Sequence, residues 1–324
     1  MAVYTEIGDD ELRGFIALYD IGAVLSCKGI AEGIENSNFL LTTEHGNFIL
    51  TLYEKRVARA DLPFFIALMD HLARHGVACP TPVRARDGDA LRELCGRPAA
   101  IVTFLNGMWP RRIEPVHCAA LGTALARLHG AGSSFAMARP NSLGVAGWRA
   151  LYAACAERAD QFLPGLAGEL AAELAFFEAN WPSGLPSGVI HADLFPDNVF
   201  FRDRELSGLI DFYFACTDFL AYDIAICLNA WCFEPDLSFN VTKARLLVAN
   251  YRAERPLAAD EIAALPLLAR GSALRFLLTR LYDRLNQPVG ALVRPKDPLE
   301  YLKKLRFHRG IGDPGLYGIG LDDA

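Results

Sequence analysis

The run His191-Ala-Asp193-Leu-Phe-Pro-Asp197-Asn198 places two carboxylates and a carboxamide within eight residues, and Asp211 follows thirteen residues after Asn198 in Leu-Ile-Asp-Phe-Tyr. Phosphoryl transfer from a nucleotide needs such a set. Two oxygen ligands grip Mg2+ beside the phosphates, and a separate carboxylate orients the attacking hydroxyl and accepts its proton. The competing reading makes Asp193, Asp197, Asn198 and Asp211 turn and cap residues of a β-hairpin, where Asp and Asn commonly sit. His191 reads as an anchor of the loop backbone, and so does Asp223 in Leu-Ala-Tyr-Asp-Ile-Ala.

These groups must be held by regular elements, and the chain supplies two kinds. Residues 9–19 carry Leu12, Phe15, Ile16 and Tyr19 at helical spacing, with Asp9 or Asp10 as a candidate cap. Residues 22–28, 38–43 and 48–53 read as strands, with EHGN as a hairpin turn between the last two. A helix follows over residues 62–75, then the extended runs LRELC and AAIVTFL. From Asn106-Gly107 onward the pattern is helical over 115–128, 148–162, 166–180, 222–233, 241–252, 260–285 and 298–307, interrupted by an extended stretch over 189–215. Residues 1–105 are thus expected to form a small lobe and residues 106–324 a large one, with the last dozen residues a loosely held tail.

Composition narrows the class of protein. A chain of 324 residues with 52% hydrophobic and 22% charged residues can bury a large core. The formal charge of −6, from 32 Lys and Arg against 38 Asp and Glu, argues against a protein that covers nucleic-acid phosphates. Eight cysteines stand without a C-x-x-C pair and mostly in apolar runs, which suits free thiols in a reducing cytoplasm. The start has no basic segment leading into an apolar one, and Asp211, Asp218 and Asp223 cut the apolar region 209–233, so neither a signal peptide nor a membrane span is expected. His71-x-x-x-His75 has the spacing of a metal pair but lacks the Glu of H-E-x-x-H.

The catalytic run and its following Asp resemble the aminoglycoside phosphotransferase-like branch of the kinase fold. The segments EGIENSNFLL, ILTLYEKR, DLPFFIALMDHL, LIDFYFACTDFLAYDIAICLNAWCFE and RPKDPLEYLKKLRFHR resemble the bacterial homoserine kinase group within that branch, and the likeness spans almost the whole chain. It implies a bilobal α+β architecture with a small antiparallel-sheet lobe, a mainly helical large lobe and ATP between them. It further implies transfer of the γ-phosphoryl group to the hydroxyl of L-homoserine, on the route to threonine. By the same resemblance Asp193 is the base, Asn198 and Asp211 hold Mg2+, and Thr103, Phe104 and Leu105 form the hinge that meets adenine. Gly33, Asn36, Ser37 and Asn38 lie in the loop after the first strand, where a backbone phosphate cradle belongs.

The likeness has two departures. Thr51 stands where the kinase fold places its phosphate-pairing Lys, and Phe65 falls near the position of its Glu partner. Losing both is coherent, since one alone would leave an uncompensated charge; Lys28, Lys55 or Arg56 are the candidate substitutes.

An amino-acid acceptor needs groups of both signs. Arg275, Arg280 and Asp283 on one apolar helix offer them, Arg275 and Asp283 being placed to share a face and Arg280 lying elsewhere on the helix, with Trp231, Asn229 and Asp218 as further candidates for the pocket wall. Choline, ethanolamine, methylthioribose, hydroxylysine or an aminoglycoside are alternative acceptors on this scaffold. A nucleotide-binding pseudokinase is the alternative from another class, prompted by Thr51 and Phe65 and opposed by the intact set Asp193, Asn198 and Asp211.

Overall fold

The structure is a computed structural model and describes residues 5–30, 36–54, 57–287 and 295–320. Alternating side chains in the first third build one antiparallel sheet from β1 (Val24–Gly29), β2 (Ser37–Thr43), β3 (Gly46–Leu52), β4 (Leu91–Leu94) and β5 (Arg97–Thr103), in the order β1-β2-β3-β5-β4. The period of two sends Phe39, Leu41, Leu50, Leu52 and Ile101 to one face, where α1 (Asp9–Ile16) covers them with Leu12, Phe15 and Ile16. Ile49, Ala100 and Val102 face the other way, into the main core, as does α2 (Leu62–Arg74). Gly8 precedes α1 as its cap residue, so Asp9 and Asp10 sit inside the first turn, where their charge suits the helix dipole.

The remaining chain is mainly helical: α3 (Pro115–Gly132), α4 (Val145–Ala159), α5 (Leu166–Asn180), α6 (Leu220–Trp231), α7 (Val241–Glu254), α8 (Ala259–Leu285) and α9 (Pro298–Arg309). Helix α6, LAYDIAICLNAW, is apolar all round and accordingly sits in the core, leaving Asp223 and Asn229 to find partners there. Helix α8 is long and apolar enough to cross a membrane, but 72% of its most apolar window is buried inside the protein. Where α3 crosses α7, a Cβ at Gly122 would fall on the carbonyl oxygen of Leu247. Gly122→Ala must therefore push two helices apart, and we expect a loss of about 2 kcal/mol, read from the urea midpoint; an unchanged midpoint would mean the crossing has room to spare.

Within 187–219 the extended stretch resolves into four short strands. β6 (Ser187–Ile190) pairs with β9 (Cys216–Phe219), and β7 (Val199–Arg202) with β8 (Glu205–Leu209). The turn of the β7–β8 hairpin is Asp203-Arg204, with Asp203 at φ 57°. Asp193, Asn198 and Asp211 lie at the hairpin's open end. Asp197 and Asn198 do sit in a 3-10 turn over Pro196–Asn198, and Asp211 precedes the 3-10 turn Phe212–Phe214 and accepts from the Tyr213 N–H, so the turn-and-cap reading describes their local backbone without accounting for their convergence. The end of the chain also differs from expectation. A 3-10 turn over Pro314–Tyr317 is docked, with Tyr317 buried and its hydroxyl 2.6 Å from His308 Nδ1, because an aromatic ring and Ile319 have an apolar place to go.

Candidate active site

The loop between β6 and β7 is held by buried partners on every side. Ala192 adopts φ 64°, a left-handed conformation that costs a non-glycine residue energy and persists only where its surroundings impose it. Here they do: Asp223 accepts from the N–H of His191 at 2.7 Å and of Ala192 at 2.9 Å, while Arg275 Nη1 donates to Ala192 O at 2.6 Å. His191 Nδ1 accepts from the Asp193 N–H at 3.3 Å, and its Nε2 lies 3.0 Å from Ile210 O, so the ring ties the loop to the residue before Asp211. Burial holds the imidazole below its ordinary pKa, against the pull of Asp223, which keeps it neutral and able to play both parts. Trp231 Nε1 donates to Leu194 O at 2.7 Å.

Asn198 Nδ2 donates to Asp193 O at 2.8 Å and to Asp193 Oδ2 at 3.2 Å. That aims the carboxylate and leaves Asn198 Oδ1 without a donor among the described residues. Asp211, at φ 65°, stands two residues after the hairpin's last strand residue, Leu209, and is exposed. An amide oxygen and a carboxylate are hard donors of the kind Mg2+ accepts while keeping phosphate and water ligands. Among the described residues no three His, Cys, Asp or Glu side chains converge to hold a metal unaided. The chemistry of Asn198 Oδ1 and the Asp211 carboxylate fits a hard cation that also takes phosphate oxygens. Lost hydration raises the pKa of Asp193 well above the carboxylate range, with Arg275 and Lys296 opposing and Asp211 and Asp197 adding to the rise. Lost hydration also raises Asp211, against its bond from the Tyr213 N–H and with repulsion from Asp197.

The positions of the absent ion pair are filled by a packed cluster. Thr51 is buried and donates to Asn38 Oδ1 at 2.8 Å. Phe65 is 1% exposed and meets Tyr213 edge to face at 5.7 Å, with Arg139 over its ring at 5.1 Å. Tyr53 and Tyr213 share a hydroxyl hydrogen bond of 3.0 Å, joining the end of β3 to the residues after Asp211. Contacts between aromatic rings thus join the end of β3, α2 and the Asp211 segment, where the fold's ion pair would join the strand to the helix. Reinstating the acid by Phe65→Glu removes that packing, and we expect a loss of about 3 kcal/mol, visible in thermal or urea unfolding; a variant as stable as the parent would show the helix position open to water.

The other expected contacts are distributed unevenly. Asn36 and Ser37 are buried and engaged with Glu54, the Asn36 oxygen accepting from its N–H at 3.4 Å and the Ser37 hydroxyl donating to its carboxylate at 2.8 Å. Gly33, Lys55 and Arg56 lie outside the described residues. Lys28 shares a cross-strand ladder with Leu40 and Ile49, on the sheet face that carries Thr51. Thr103 Oγ1 accepts from the Thr81 N–H at 2.9 Å, Phe104 is exposed, and the Leu105 N–H meets no acceptor among the described residues.

The expected acceptor wall needs correcting. Trp231 has no exposed surface, and Arg275 is 1% exposed; both brace the loop from beneath, because their long side chains reach its carbonyls through the core. Arg280 donates to Glu300 at 2.6 Å and to Asp297 O at 3.2 Å, and Lys304 shares the same carboxylate at 2.7 Å. Arg275 and Asp283 do not share surroundings, since eight residues turn a helix about 80° past two full turns, and the charge of Asp283 acts on Cys155 of α4. Both oxygens of Asp218 accept hydrogen bonds, from Asn141 and from the Phe219 N–H, each at 2.7 Å. The sequence reading missed Tyr53, Tyr213 and Lys296. Tyr213 stands two residues after Asp211 and could have been found there; Lys296 carries no local signal.

Comparison with known proteins agrees with this geometry. The model of the phosphotransferase enzyme family matches residues 26–257. A homoserine kinase of Paramagnetospirillum magneticum is 64% identical over 326 residues, covering 98% of this chain and 100% of the relative. One of Rhodospirillum rubrum is 65% identical over 319 residues, covering 98% and 99%. Among solved structures, an amicoumacin kinase in complex with AMP-PNP and Ca2+ superposes with a TM-score of 0.67 at 16% identity, over 93% of this chain and 92% of that one. A spectinomycin phosphotransferase in complex with ADP gives 0.66 at 12% identity, over 99% and 100%. The likeness to the solved structures establishes the kinase-like fold, and the full-length identity places the chain more narrowly: it belongs to the phosphotransferase enzyme family and, within it, to the group of the homoserine kinases.

Proposed function

We propose that the protein transfers the γ-phosphoryl group of ATP to the side-chain hydroxyl of L-homoserine, giving O-phospho-L-homoserine, in the cytoplasm. ATP lies between the parts formed by residues 1–105 and 106–324, with adenine against the backbone of Thr103, Phe104 and Leu105. The observation that carries the reading is the hydrogen bond from Asn198 to Asp193, which aims a carboxylate of raised proton affinity beside an oxygen pair facing the cleft. Asp193 orients the hydroxyl and takes its proton as the O–P bond forms. Asn198 and Asp211 hold Mg2+, which when bound offsets negative charge on the phosphates. Arg275, Asp223 and His191 keep the loop in the conformation that presents Asp193. The choice of homoserine is supported by relatives of that name at 64% and 65% identity over nearly the whole chain.

The test is ATP consumption by the purified protein with Mg2+ and a panel of homoserine, serine, threonine, choline, ethanolamine, methylthioribose and kanamycin, with mass spectrometry of the product. Selective formation of O-phosphohomoserine is expected. Faster turnover of another alcohol would keep the chemistry and replace the acceptor.

A further inference from the structure

The loop His191–Asn198 carries two carboxylates and no Lys or Arg, and Asp211 adds a third carboxylate nearby. The small lobe offers Thr51 and Phe65 where the fold's ion pair would stand. Beside the Mg2+ that Asn198 and Asp211 would hold, a fixed cation facing the phosphoryl group would counter this cluster, and fixed charges facing the reacting group are a major source of rate enhancement. Two cations act on Asp193. Arg275 donates to Ala192 O and is 1% exposed, so it is held beneath the loop. Lys296 differs in each respect. It lies between α8 and α9, and its ammonium reaches Asp197 Oδ2 at 3.2 Å, 99 residues away in sequence. The same ammonium lies 5.0 Å from the centre of the Phe195 ring, while 58% of the side chain is exposed. Phe195 is a fixed shelf, edge to face with Phe276 at 4.8 Å. An ion pair this exposed contributes about 0–1 kcal/mol, so stability does not account for its placement.

We propose that Lys296 is a catalytic residue whose ammonium leaves Asp197 to contact the phosphoryl group during transfer, supplying the cation that Thr51 does not. The bond between the γ-phosphorus and the oxygen bridging it to the β-phosphorus breaks, the bond to the acceptor oxygen forms, the hydroxyl proton passes to Asp193, and Lys296 stays protonated throughout. The proposal rests on ATP-dependent phosphoryl transfer at this site and not on homoserine being the acceptor.

Steady-state kinetics of Lys296→Met, Lys296→Arg and Asp197→Asn test it, each compared with the parent on whichever alcohol of the panel the parent phosphorylates, or on water through slow ATP hydrolysis if it phosphorylates none. Lys296→Met is expected to lower kcat about a hundredfold, the loss typical of one charge-stabilising donor, with KM for ATP and for the acceptor within about threefold. Lys296→Arg should recover at least a tenth of the parent kcat, and Asp197→Asn, which removes the resting place and not the cation, should cost less than Lys296→Met. A shift in unfolding midpoint is not expected, since exposed substitutions change stability by about 0.5 kcal/mol or less. Unchanged kcat in Lys296→Met, or a raised acceptor KM at constant kcat, would overturn the proposal; the second result would put the ammonium on the acceptor instead. Failure of the homoserine reading shows separately, in the parent enzyme's choice of alcohol.

Discussion

Asp193→Asn is expected to give a folded protein that still binds ATP and turns over at least about a hundredfold more slowly, the usual loss for a general base. The amide keeps the shape of the carboxylate, and its oxygen can still accept from Asn198 Nδ2, now 3.2 Å from Asp193 Oδ2. What disappears is the proton acceptor. Lost hydration raises the carboxylate's proton affinity, a rise that Arg275 and Lys296 restrain and that Asp211 and Asp197 reinforce, which brings the group closer to the operating pH of a base. Parent activity should therefore fall on the acid side at a pH above the ordinary carboxylate range, and the variant should lack that limb. Stability moves the other way. A carboxyl whose pKa is raised on folding contributes fully below its unfolded pKa and loses that contribution as pH rises through the folded value. At neutral pH Asp193→Asn should consequently unfold no earlier than the parent. Isothermal titration with a non-hydrolysable ATP analogue, kinetics and urea unfolding measure the three parts. Turnover within tenfold of the parent would remove Asp193 from the proton transfer.

Asp223→Ala should cost about 4 kcal/mol of stability, the sum expected when two buried backbone donors lose their acceptor at about 1–3 kcal/mol each, and should abolish turnover. Asp223 has no exposed surface and lies on α6, where its two oxygens accept from the His191 and Ala192 N–H groups and from His129 Nε2 at 3.3 Å. His129 continues to the Tyr251 hydroxyl at 2.7 Å, and Arg255 joins that hydroxyl to Glu261. Deleting the carboxylate leaves two backbone donors unmatched in the core and frees Ala192 from its left-handed conformation. The pH dependence has the opposite sign to that of Asp193. Burial pulls the Asp223 pKa up, but the hydrogen bonds it accepts from His129 and from the His191 N–H bring it below the ordinary value. Its contribution is present above the unfolded carboxylate pKa and is lost as pH falls through the lowered folded value. The parent should lose stability in acid more steeply than Asp223→Ala does. Urea unfolding at neutral and acid pH decides, and a loss near 1 kcal/mol or less at neutral pH would show that water replaces the carboxylate.

How much of this was legible beforehand depends on the range of each interaction. Helix α5 has the bounds its periodicity predicts, because a 3.6-residue repeat is a local property. The departures at the ends of other elements come from tertiary contacts: β9 forms only because β6 is beside it, and the chain end docks only because His308 and an apolar recess await Tyr317.

For the site, the sequence by itself determined which polar groups come together. Asp193 and Asn198 lie five residues apart in one loop, Asp211 follows the adjoining hairpin, and Asp223 is a lone carboxylate in an apolar helix, which must be paired if that helix is buried. The tertiary structure alone decided the placements of Arg275, Trp231 and Lys296. An Arg or Trp amid apolar residues reads equally well as a wall of a pocket or a brace beneath a loop, and only the packing of α6 and α8 under the loop makes these two braces. Lys296 meets Asp197 across 99 residues. No periodicity or spacing encodes that meeting, because it depends on where α8 ends relative to the loop, and that is settled by the burial of α8 along most of its length.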